Sequence, residues 1–174
     1  MTHAIPLRPL ELRTLARLFL GALVLATAVT VVGPASHPAR VEASTTTYME
    51  GLLVKWINNA RASRGIPKLD VGTKLTDLAG DRAAQLASAN KLGHPSCLGC
   101  LLNQRGVSWR TCGEVVAGTT YPWGYDAALS IYRSWKNSSG HWSALMSRSF
   151  RKFGIGVAYR SSNHTTFAAG VLAG

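Results

Sequence analysis

The sequence predicts an α+β domain with helices packed on a small antiparallel sheet. Helical periodicity dominates from residue 47 onward, but the end of the chain changes period. There Phe153, Ile155, Val157 and Tyr159 alternate with Gly154, Gly156 and Ala158, the spacing of a strand with one large-residue face. Ser161, Ser162 and Asn163 supply a turn, and Thr165 to Leu172 reads as the returning strand of a β-hairpin. Helices early and antiparallel strands late are the pattern of an α+β domain. A chain of 174 residues, 47% apolar and 16% charged, suits one globular domain. It contains no internal repeat and no low-complexity segment.

The first forty residues read as an export signal rather than as part of the fold. Arg8, Arg13 and Arg17 precede an uncharged run of 15 residues from Leu18 to Val32, after which Gly33 and Pro34 end any helix. That run is short of the roughly 20 residues needed to cross a bilayer, which makes a retained anchor the second choice. Small residues permit cleavage after Ala35 or Ala43. The second is preferred because periodic sequence starts soon after it, dividing the chain into a signal peptide over 1–43 and a domain over 44–174. Removing Arg8, Arg13, Arg17 and Arg40 with Glu11 and Glu42 leaves 15 basic and 6 acidic residues, a mature charge of +9. Such a surplus attracts anionic surfaces, including envelope polymers and phospholipid headgroups. The basic residues are scattered and no nucleic-acid module is present, so no specific nucleic-acid partner is expected.

Along the domain, Thr47 and Glu50 form a capping-box pattern, and Met49, Leu52, Leu53, Trp56, Ile57 and Ala60 make one helical stripe ending at Gly65. A second helix is predicted over Thr73–Ala89, with Leu75, Leu78, Ala79, Ala83 and Leu86 inward. His94 follows it on backbone that Pro95 holds extended. Ser96 to Arg110 reads as irregular, Gly113 to Gly118 as a strand entered by Glu114, and Thr119 to Gly124 as a turn-rich aromatic loop. A third helix starts at Asp126, with Ala128, Ile131, Tyr132 and Trp135 at helical spacing. After a break near Ser139, a short fourth helix carries Trp142, Leu145, Met146 and Phe150.

Cys97, Cys100 and Cys112 fall in one segment. In an exported protein this implies one disulfide and one leftover thiol, with all three pairings open. The same residues with His94 have the composition of a Cys3His zinc site, an alternative that an oxidising compartment disfavours.

The candidate site residues are His94, Glu114 and His141. His141 falls in the first turn of the fourth helix, where the positive end of the helix keeps its imidazole neutral and able to accept a hydrogen bond or hold a metal. The run Trp135 to Trp142, the later Phe-Gly-Ile-Gly-Val-Ala-Tyr over 153–159, the Gly-His before Pro95 and the Gly-Glu before Val115 together resemble a bacterial member of the CAP superfamily. That superfamily comprises cysteine-rich secretory proteins, insect antigen 5 and plant pathogenesis-related proteins. The resemblance implies an α-β-α sandwich whose central cleft carries two histidines and two glutamates. By it His94 is the first histidine, Glu114 the first glutamate and His141 the second histidine. Two departures stand out: Val115 replaces the asparagine of the family's Gly-Glu-Asn motif, and the second glutamate has no match, the segment from Trp135 to His141 containing no acid.

From this resemblance follows a secreted or envelope-associated monomer that binds rather than catalyses. Its ligand would be a lipid, a sterol, an anionic envelope polymer or a protein held in the His/Glu cleft, with the aromatic loop of Tyr121, Trp123 and Tyr125 suited to the contact. Zinc or another divalent cation on His94 and His141 is the implied cofactor. The alternative is a metal-dependent hydrolase of peptidase type with Glu114 as general base. A further possibility is that the three residues form a buried polar network that only stabilises the fold.

Overall fold

In a computed structural model the protein is described over residues 38–174, with side chains from residue 47. The apolar run Leu18–Val32 and the site after Ala35 lie outside these residues.

Among the described residues five α-helices flank a four-stranded sheet, confirming the α+β class. The order along the chain is α1 (Pro38–Ala62), β1 (Asp70–Val71), α2 (Thr73–Ala89), α3 (Leu98–Gln104), β2 (Cys112–Thr119), α4 (Tyr125–Asn137), α5 (Ser139–Leu145), β3 (Lys152–Arg160) and β4 (Thr165–Ala173). The strands lie in the order β1-β3-β4-β2. β3 and β4 form the expected hairpin, β2 pairs antiparallel with β4, and the two-residue β1 pairs parallel with β3. β1 was not expected; two residues are too few to show any period.

Strand alternation sorts the core into two layers. Phe153, Ile155 and Val157 of β3, Ala168 and Leu172 of β4, and Val115 and Ala117 of β2 pack with α1, α4 and α5 around the fully buried Trp135. The opposite face receives α2 and α3. There Val171 and Ala173 meet Leu75, Leu78 and Leu102, while Val116, Phe167 and Ala169 meet Ala83 and Leu86. The glycines of β3 open onto α2. A Cβ on Gly154 would overlap the Leu75–Thr76 peptide, and one on Gly156 would overlap the Ala79–Gly80 peptide. Helix backbone therefore lies directly on strand backbone, a contact that only hydrogen side chains permit.

Several local expectations need correction. The first helix does not start at a Thr47 cap, since α1 already runs from Pro38. Glu50 is instead aimed at the sheet, accepting a hydrogen bond from Val157 N at 3.3 Å. Burial holds its carboxyl above the usual range, partly offset by that bond. Ser96 to Arg110 is not wholly irregular. Cys97 caps α3 by accepting from Cys100 N at 3.2 Å, and a Cys97–Cys100 disulfide ties the first turn together. That pairing leaves Cys112 as the free thiol and takes two of the proposed thiolates out of any Cys3His zinc site. Phe150 lies beyond α5, which ends at Leu145.

One residue on the inward stripe of α1 is an arginine with no exposed surface. Arg61 donates to the carbonyls of Pro67, Leu145, Ser147 and Phe150, so the connectors after α1 and α5 are fastened to one guanidinium.

The approach of α2 to β3 makes a direct prediction. Gly156→Ala should lower the unfolding free energy by about 3 kcal/mol through overpacking, read as a reduced urea midpoint with unchanged slope. An unaltered midpoint would mean that α2 does not lie on the strand backbone.

Candidate functional site

Three elements bring the site together at the open edge of the sheet. β2 is an edge strand, and Glu114 shares its face with Cys112 and Val116, the side covered by α2. His94 follows the end of α2. His141 comes from α5, in the layer on the other side of the sheet. The two rings nevertheless approach to 6.3 Å between centroids, meeting edge-on around β2.

Glu114 is the centre of the arrangement. Its side chain is 2% exposed, and both oxygens are engaged. Oε1 accepts from Arg82 Nε at 2.7 Å, while Oε2 accepts from Arg82 Nη2 at 3.4 Å and lies 2.8 Å from His94 Nδ1. Because a carboxylate only accepts, His94 carries a proton on Nδ1 and, when neutral, keeps its lone pair on Nε2. The His94 ring itself is 56% exposed, so the site presents an imidazole to solvent on a buried ionic base.

Arg82 was not among the residues singled out from sequence. It occupies the inward stripe of α2 between Ala79 and Ala83, and its side chain is only 8% exposed. A cation on an otherwise apolar stripe was the available signal, since such a group is rarely buried unless paired. Besides Glu114 it donates to Gly93 O at 2.7 Å and to Gln85 Oε1 at 2.7 Å. The same guanidinium thus holds the acid and the peptide carbonyl just before His94.

The pKa of His141 is lowered, first by burial and then by the nearby His94, a direction that favours the neutral ring. Ser138 caps α5 by accepting from His141 N at 3.4 Å. The ring's Nδ1 is buried with no hydrogen-bond partner among the described residues.

The donor set limits what a metal can do here. Two imidazoles sharing a tetrahedral zinc have ring centres about 5.3 Å apart, given a Zn–N bond of about 2.1 Å. The 6.3 Å separation of His94 and His141 is wider, so the rings would have to move closer to share an ion. Among the described residues no group of three or more His, Cys, Asp or Glu side chains is placed to hold a metal ion. Glu114 is only 2% exposed, its oxygens accepting from Arg82 and His94, which leaves little of the carboxylate accessible to an added ion. Two nitrogens fit a loosely held divalent ion but fall short of the three protein ligands typical of a hydrolytic zinc centre.

Five cavities on the described surface, of about 120 to 550 Å³, are lined by other residues than His94, Glu114 and His141. The cleft itself is a charged surface built on Arg82, His94 and Glu114. Val115, where the family motif has asparagine, points to the opposite face and is fully buried against α4 and its neighbours.

The model of the cysteine-rich secretory protein family, CAP, matches residues 54–171, and the chain belongs to this family. Similar solved structures include an extracellular protein containing an SCP domain from Bacillus anthracis str. Ames, at 19% identity over 78% of this chain and 43% of that one, with a TM-score of 0.67. A cysteine-rich secretory protein from Staphylococcus aureus is also 19% identical, over 74% of this chain and 38% of its own, with a TM-score of 0.59. An outer surface protein from Borrelia burgdorferi is 18% identical over 72% of this chain and 91% of its own, with a TM-score of 0.62. At these identities the likeness is one of fold, and the chain spans less than half the length of the first two. No curated protein matches it.

The lowered pKa of His141 sets a pH window. Below the ordinary histidine value of 6.5 the unfolded chain takes up a proton that the folded ring resists. The contribution is complete above that value and is lost as pH falls toward the lowered folded one. Urea unfolding at pH 7.5 and 5.5 should show a drop in stability for the wild type that is smaller in His141→Gln; equal drops would contradict the assignment.

Proposed function

We propose that this chain is an exported, bacterial binding domain that acts outside the cell or in the envelope. It holds an anionic lipid or polymer, or a protein bearing such groups, against the surface of His94, Glu114 and His141. The observation that carries this reading is the engagement of Glu114. A general base must reach a proton on its substrate, whereas this carboxylate is only 2% exposed, with its oxygens accepting from Arg82 and His94. Glu114 is then a fixed support for an imidazole, and the cleft binds without cleaving.

Charge supports the same choice. The acid is neutralised internally by Arg82, so the surplus of basic residues across the chain sets the sign of the surrounding field and favours anionic ligands. Export is supported by the signal layout over residues 1–43, and the related folds belong to proteins described as extracellular, secretory or outer-surface. A divalent ion on His94 and His141 belongs to this reading as an organiser that draws the two rings together and adds positive charge. The domain acts as a monomer.

The test uses the purified mature protein, with and without added zinc. It is incubated with anionic phosphatidylglycerol vesicles, with an envelope lipid extract and with a peptide library. Retention of an envelope component by the wild type, weakened at least tenfold in His141→Ala and Glu114→Gln without loss of fold, is the expected result. Zinc-dependent peptide turnover that disappears in Glu114→Gln would instead establish a hydrolase.

A further inference from the structure

A second candidate site lies on the opposite layer from Arg82 and Glu114. α1 and α4 run side by side there, leaving a solvent-open cavity of about 390 Å³. Its wall is a continuous row of four aromatic rings. Tyr125 meets Trp56 edge-on at 5.6 Å, Trp56 lies 5.6 Å from Tyr132, and Tyr132 meets Trp142 edge-on at 6.0 Å. Sequence periodicity assigns Trp56 and Tyr132 to the core. They do pack against it, but both are only partly buried and turn surface to the cavity, while Tyr125 is 52% exposed.

Two cations share the lining, and no acid does. Arg64 sits 5.3 Å over the Trp142 ring and donates to Ala60 O, its other N–H groups making no hydrogen bond among the described residues. Lys136 lines the same cavity and makes no ion pair among the described residues. Asn59 and Ser63 add exposed polar groups at the rim.

These features select a ligand by elimination. An aromatic cage suits a quaternary ammonium, but Arg64 and Lys136 would repel one. A hydrocarbon tail calls for an enclosed apolar channel, whereas this cavity is open and carries two charges. What remains is a ligand with an apolar C–H face to lie on the rings, hydroxyls for the amide and hydroxyl groups, and a negative charge for the cations. We propose that the α1–α4 cavity binds a sugar unit of an acidic polysaccharide, its ring stacked on the aromatic row and its carboxylate held by Arg64 and Lys136. None of the residues in the histidine cleft lines this cavity, so the two sites stand independently.

The test is calorimetric titration of the full mature protein with uronic-acid tetrasaccharides of defined linkage and with neutral tetrasaccharides of the same length. Acidic tetrasaccharides should bind at least tenfold tighter than neutral ones. Tyr125→Ala, Arg64→Gln and Lys136→Gln should each weaken that binding at least fivefold. Lys91→Gln, which removes a charge elsewhere on the surface, should leave it unchanged. An equal loss in Lys91→Gln would reduce the effect to general charge attraction and overturn the proposal. So would failure of every acidic tetrasaccharide to bind, or binding of phosphatidylglycerol vesicles alone through these three residues.

Discussion

The candidate site depends on one desolvated ion pair, Arg82 with Glu114. Removing two charges from water is costly, and such a pair is tolerated only when its remaining donors and acceptors are satisfied. That condition is met here. Arg82 bonds Glu114 through two nitrogens and also reaches Gly93 O and Gln85 Oε1, while the acid also meets His94 Nδ1. The pair is consequently less a source of stability than a means of placing things. It fixes α2 to β2 at one register and sets the carbonyl before His94, which leaves the imidazole held from below and open above.

The reach of Arg82 follows from the glycines of β3. With Gly154 and Gly156 letting α2 rest on the strand backbone, a guanidinium on the inward stripe can extend to β2. On the other layer Arg61 performs a comparable task for the ends of α1 and α5, burying a cation among backbone carbonyls instead of beside an acid. Its surroundings, chiefly burial and the neighbouring Arg151 and Arg148, lower its pKa. α5 then serves two surfaces, with His141 turned to the sheet edge and Trp142 to the α1–α4 cavity.

Much of this was legible in the residues. The period-two run ending the chain predicted β3 and β4, and the apolar stripe from about Thr73 to Ala89 predicted α2. The approach of His94 to Glu114 and to His141 was readable only through order and family resemblance, since no local period links residues so far apart. Arg82 and Arg61 escaped because stripe reading counts apolar positions and passes over the charge among them, although a buried arginine at such a position signals a specific partner. α3 escaped because it has only seven residues, too few for the spacing of Leu98, Leu101 and Leu102 to stand out among the cysteines and glycine around it. Which cysteines would pair was equally closed to spacing arguments.

The claim that Glu114 supports His94, and does so only because Arg82 neutralises it, is tested most directly by a double-mutant cycle read by stability and by nitrogen NMR of His94. Arg82→Met and Glu114→Leu should each cost about 3–5 kcal/mol by stranding a buried charge. The double variant should recover most of that loss, and the hydrogen-bonded His94 Nδ1–H signal should be absent whenever Glu114 is replaced. Additive losses, or a His94 signal indifferent to Glu114→Leu, would show that the pair and the imidazole are not coupled and would contradict the account.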